Sequence, residues 1–208
     1  MTLAIARALA AELERRGFAT VMTRDRDTLI ALGDRGRLAG RASADLFVSI
    51  HVNAANPRWH NAGDARGFET YFLAKARTED EARMARMENA SVRFETSARA
   101  EHGDPLSYIL TDLAQNEHLR ESSRMAALVQ SSLERVHPAV GRGVKQAGFA
   151  VLATSYMPAI LVETGFGSNV AEARYLTSEP GQRRIAAAVA DGVARYLSEY
   201  ERRVAVGQ

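Results

Sequence analysis

The chain has 208 residues, 46% of them hydrophobic and 25% charged, with a net charge of +2. That is the length and composition of one globular domain with a sizeable core, and it excludes wholesale disorder, collagen and a small disulfide scaffold. There is no Cys, so cysteine zinc sites, CxxC redox chemistry and thiol catalysis are excluded as well. All but Lys75 and Lys145 of the 27 cationic residues are Arg, interleaved with acids as in Glu79-Asp80-Glu81-Ala82-Arg83. That pattern reads as a solvated surface and not as a nucleic-acid stripe. No apolar run approaches the ~20 residues of a transmembrane segment, and Met1–Arg7 has neither the basic head nor the long apolar stretch of an export signal.

In chain order, residues 2–17 predict an amphipathic helix with Thr2 as cap, a Leu3, Ala6, Leu9, Ala10, Leu13 stripe, and Gly17 as its stop. Phe18–Thr23 reads as a strand and residues 33–43 as a short helix. Leu46-Phe47-Val48-Ser49-Ile50 is a nearly continuous apolar strand, the pattern of burial on both faces. Residues 52–66 form a polar loop, and Gly67–Leu73 alternates as another strand. Residues 76–103 are charged, with helical character from Glu79 to Glu88. Residues 105–137 read as helix, broken by Pro138 to Gly143. Gly148–Leu152 and Ala159–Glu163 are two more buried strands, and helices near 170–177 and 180–200 close the chain. Strands alternating with helices indicate an α/β fold.

Two places carry candidate chemistry, both at the C-terminal ends of apolar strands, where open α/β sheets collect ligands. In Ser49-Ile50-His51-Val52-Asn53, a rigid strand would fix the imidazole of His51 for metal binding; a structural or surface histidine is the plainer reading. In Ile160-Leu161-Val162-Glu163-Thr164-Gly165-Phe166, burial would raise the carboxyl pKa of Glu163 and suit it to general-base work, or Glu163 caps the next helix. His60, His102, His118 and His137 show no ligand pairing and read as solvated or packing residues.

Taken in order, these segments resemble the zinc-dependent N-acetylmuramoyl-L-alanine amidases of bacterial cell walls. The resemblance runs nearly end to end: Leu3 to Gly17, Val21-Met22-Thr23-Arg24, Leu29 to Arg37, and Ala44 to Ala54 with its Ser-Ile-His-x-Asn. It continues through Gly67-Phe68-Glu69-Thr70-Tyr71, Gln146 to Leu152, and Pro158 to Phe166 with Ser168-Asn169. It implies one catalytic domain over 1–200 with a tail at 201–208: a mixed twisted sheet flanked by helices, with a helical insertion near 76–116. It also implies hydrolysis of the amide between N-acetylmuramic acid and the L-alanine of the stem peptide, with Zn2+ as cofactor, His51 as a zinc ligand and Glu163 as the base. Asn53 then orients His51, or is a turn residue after the strand.

The insertion is similar to that of the Gram-negative septal enzymes, in which a helix covers the zinc until an activator protein displaces it. On that reading Glu88 plugs the site; otherwise the helix is merely solvated. The implied partners are peptidoglycan and an activator, and the implied location is the periplasm or the exterior. The family pattern also has an earlier strand with an Asp-Pro-Gly-His-Gly-Gly segment and a later Glu, both zinc-binding, which residues 1–208 do not match. The expectation is a chain shortened at its front. Its alternatives are a non-catalytic peptidoglycan-binding or regulatory relative, and a chain recruiting substitute ligands such as Glu69 or His60. Another zinc peptidase is the remaining enzymatic alternative.

Overall fold

The computed structural model describes residues 1–56, 58–94 and 116–206. The expected position of His102, and the insertion beyond Phe94 as far as residue 115, lie outside them. A four-stranded sheet of order β1-β4-β2-β3 forms the centre. Its strands are β1 (Phe47–Asn53), β2 (Phe68–Leu73), β3 (Gly141–Ala147) and β4 (Ala159–Phe166). β1 runs parallel to β4 and β2 parallel to β3, while β2 and β4 are antiparallel. The expected mixed α/β fold is therefore present.

The strand period of two sorts the side chains onto two faces. Phe68, Phe72, Ile160 and Val162 pack against α1 (Thr2–Arg15), α4 (Asn116–Glu134) and α7 (Glu179–Val206), through Ile5, Leu9, Met125, Val129, Ile185, Val189 and Val193. Phe47, Tyr71, Leu73, Ala159 and Leu161 pack against α2 (Leu32–Arg41), α3 (Glu79–Asn89) and the single turn α5 (Ala150–Ala153). The remaining helix, α6 (Val170–Thr177), is capped by Asn169, whose side chain accepts from the N–H groups of Ala171 and Glu172. No helix among the described residues is long and apolar enough to cross a membrane.

Several expectations are corrected. Met1, not Thr2, precedes the first helical residue, and the Thr2 hydroxyl accepts from Arg24 instead. Residues 18–23 form no strand. They lie across a groove of about 580 Å3 from β1, lined also by Leu3, Ala6 and Ile50, and so have no ladder to join. Facing that groove, β1 is only partly buried at Val48 and Ile50, in place of the expected burial on both faces.

The strand expected at 148–152 lies earlier, at Gly141–Ala147. This edge strand is polar and glycine-containing, so it lacks the apolar signal. The apolar run after it folds as α5 and buries Phe149, Val151 and Leu152. Finally, α7 continues through Val206, into the stretch read as a tail.

Helices α4 and α7 meet closely at Gly192, where an added Cβ would lie 2.5 Å from the Cα of Val129. Replacing a helical glycine by alanine ordinarily gains up to about 1 kcal/mol. Here the backbone clash reverses the sign. Gly192→Ala should lower stability by about 1–3 kcal/mol, the usual cost of overpacking, read as a lower urea midpoint. A higher midpoint would show that the two helices part freely.

Candidate active site

On the sheet face beneath α2 and α3, the strand register sets His51 of β1 beside Glu163 of β4, and Glu163 beside Glu69 of β2. Buried pairs precede them on the same face, Phe47 with Ala159 and Ser49 with Leu161. The sheet thus changes from core to chemistry within one row of residues. The hydroxyl of Thr164 donates to the carbonyl of His51 at 2.8 Å and ties the two strands at that row. The carbonyl of Thr164 in turn accepts from buried His137. The Ala139 N–H donates to Nδ1 of that ring, which leaves the proton on Nε2. Burial pushes the pKa of His137 down, as suits a neutral packing residue between Phe68 and Tyr175.

Helix α3 brings the third group. Thr78 and Glu81 form a capping box at its start, and Met84 and Ala85 bury its inner face. At its end the Asn89 side chain donates to the Gly148 carbonyl and accepts from the Ala150 N–H. Arg83 lies over the ring of Trp59. This docking places Glu88 Oε2 2.7 Å from Nδ1 of His51. His51, Glu88 and Glu163 each offer a ligand atom within 4.8 Å of the other two.

Glu163 is fully buried, and neither carboxylate oxygen has a hydrogen-bond partner among the described residues. Burial raises its pKa well above the ordinary carboxylate range, and the charges of Glu88 and Glu69 raise it further. Two orphaned carboxylate oxygens beside an imidazole and a second carboxylate fit a small divalent cation. Zinc takes this N/O donor set.

Glu69 contrasts with Glu163. It is equally buried, yet Oε1 accepts from Asn53 and Tyr71, and Oε2 accepts from Arg142 and Lys145 at 2.9 and 2.5 Å. Asn53 therefore orients Glu69, not His51. Glu69, weighed as a substitute ligand, has its oxygens committed elsewhere. His60 is exposed and outside the ligand cluster. The parts missed from sequence were the partners of Glu69 and the Asn89 clamp. A signal existed for the first: a carboxylate inside Phe68-Glu69-Thr70-Tyr71-Phe72 has to be paired if the strand is buried.

The profile of the N-acetylmuramoyl-L-alanine amidase family matches residues 1–195. The chain is 36% identical over 205 residues to N-acetylmuramoyl-L-alanine amidase AmiC of Neisseria meningitidis, covering 95% of this chain and 47% of that one. It is 30% identical to AmiA of Escherichia coli, covering 97% and 68%. It thus spans about half the length of the first relative and two thirds of the second. Among solved structures, the N-acetylmuramoyl-L-alanine amidase of Clostridium difficile 630 superposes with a TM-score of 0.68 at 29% identity, covering 94% of this chain and 81% of that one.

The buried carboxyl gives a signed prediction for stability. A raised pKa means the folded state holds a proton that the unfolded chain releases. That stability is complete below the ordinary carboxyl pKa of about 4.3 and is lost as pH rises through the raised folded value. In chelator-treated protein, the native urea midpoint should fall with rising pH more steeply than that of Glu163→Gln. Parallel curves would mean that Glu163 holds no extra proton.

Proposed function

The chain belongs to the N-acetylmuramoyl-L-alanine amidase family, and from that premise we propose that it acts on peptidoglycan, hydrolysing the amide between N-acetylmuramic acid and the L-alanine of the stem peptide. One observation carries the reading: a buried, unpartnered carboxylate of β4 stands beside an imidazole of β1. The relatives AmiC and AmiA bear the name N-acetylmuramoyl-L-alanine amidase. The substrate sets the location, since peptidoglycan lies outside the cytoplasm.

His51 would hold a zinc ion, with Glu88 and Glu163 next to it. When bound, zinc supplies Lewis-acid chemistry, acidifying water and polarising the amide carbonyl. Glu163 takes a proton from the attacking water and returns it to the leaving nitrogen. Its burial favours this, because a desolvated carboxylate is a stronger base than one in water. Asn53 acts at one remove, fixing Glu69 behind the base.

Glu88 blocks the site. It takes the position beside His51 that the substrate side needs, and its charge raises the proton affinity of Glu163. Withdrawal of Glu88 clears that place and brings Glu163 back towards a working pKa. An activator protein that displaces α3 would do both at once.

Zinc analysis and muropeptide release test this together. Zinc should bind near one per chain and be lost on His51→Ala. Sacculi should release free stem peptides beginning at L-Ala. Glu163→Gln should cut turnover by about 10²–10⁴-fold, the usual contribution of a general base, while retaining zinc. Glu88→Ala should raise basal release. Shortened stem peptides would indicate a peptidase, and binding to sacculi without release would indicate a non-catalytic relative.

A further inference from the structure

Glu69 carries one negative charge and faces two cations, Arg142 and Lys145. The pair therefore leaves a surplus positive charge on the same sheet face as Glu163. Arg142 spends only its Nε–H on Glu69, at 2.9 Å. Its guanidinium lies over the ring of Phe166, 5.3 Å from the centroid. Its two terminal NH2 groups have no protein partner among the described residues. The side chain is about one third exposed.

This is a guanidinium held in place by a buried carboxylate and an aromatic face, with its two terminal NH2 groups uncommitted among the described residues. Arginine forks of this kind take carboxylates in a bidentate manner. Holding the fork in advance removes much of the entropic cost of ordering it on binding. Neutralising Glu69 does not require this arrangement: Lys145 alone balances the charge, and Asn53 and Tyr71 already donate to the other oxygen.

We propose that Arg142 is a specificity-determining residue that binds a carboxylate of the substrate peptide, with Glu69 and Phe166 holding its guanidinium in position. Sheet strands sit about 4.8 Å apart. Arg142 rises from β3 and leans over β2 and β4, so its fork stands roughly 5–10 Å from Glu163. An extended peptide covers that in about two or three residues. The recognised carboxylate therefore belongs to the second or third residue counted from the amide that is cut. This inference rests on the peptidoglycan reading above.

The test compares two probes, N-acetylmuramoyl-L-alanyl-D-glutamate and the same molecule with both glutamate carboxylates amidated. Each is titrated calorimetrically into the chelator-treated full chain, in the native and Glu88→Ala backgrounds, so that no metal contributes to the preference. The carboxylate probe should bind about tenfold tighter, the typical worth of a hydrogen bond to a charged group, and the margin should shrink with added salt. Arg142→Gln should abolish the margin by weakening the carboxylate probe alone, and Arg142→Lys should restore part of it. Retention of Lys145, Asn53 and Tyr71 on Glu69 should keep Arg142→Gln folded, and Arg142→Lys keeps the charge balance if it does not. Equal affinity of the native chain for both probes overturns the proposal and leaves the peptidoglycan reading standing. Equal weakening of both probes by Arg142→Gln also overturns it, as the mark of a structural role. Failure of both probes to bind in either background overturns the proposal together with that reading.

Discussion

Two carboxylates face each other across β2 and β4, and the fold treats them in opposite ways. Glu69 receives four donors, two of them cationic. Glu163 receives none among the described residues. Burying one charge is affordable only with partners, whereas burying a second without them forces it to keep its proton. The contrast depends on strand order: β4 lies between β1 and β2, so Glu163 is enclosed from both sides. β3 lies on the far side of β2, where Arg142 and Lys145 reach Glu69.

The rest of the architecture keeps that row in register. The two apolar clusters grip the sheet from opposite faces. Thr164 ties β4 to β1 through its hydroxyl and to His137 through its carbonyl. Glu172 accepts from the N–H groups of Gly67 and Phe166, joining the start of β2 to the end of β4. The carboxylates are thus set by backbone pairing, which shifts little, and not by flexible loops.

Much of this was legible in the sequence, because apolar strands advertise themselves. β1 and β4 were found from continuous runs ending in His51 and Glu163, and the helices from their stripes. β3 was missed because an edge strand needs no apolar face, and Gly141-Arg142-Gly143-Val144-Lys145 has almost none. Residues 18–23 have strand composition without a neighbour to pair with, and composition cannot report the neighbour. Asn53 reads from sequence as a residue orienting His51 or as a turn residue, whereas its side chain donates to Glu69. Spacing along a strand shows which residues share a face, not which side chain across the sheet receives the hydrogen bond.

Helix α3 is closed at its start by its own capping box and held at its end by Asn89 against the Gly148–Ala150 turn, with Met84 and Ala85 buried between. Its attachments to the body run from Arg83 to Asn89 along one helical rod. Lifting such a rod would break the Asn89 hydrogen bonds and expose Met84 and Ala85 in one step, so the cost of moving it would be met all at once and not gradually.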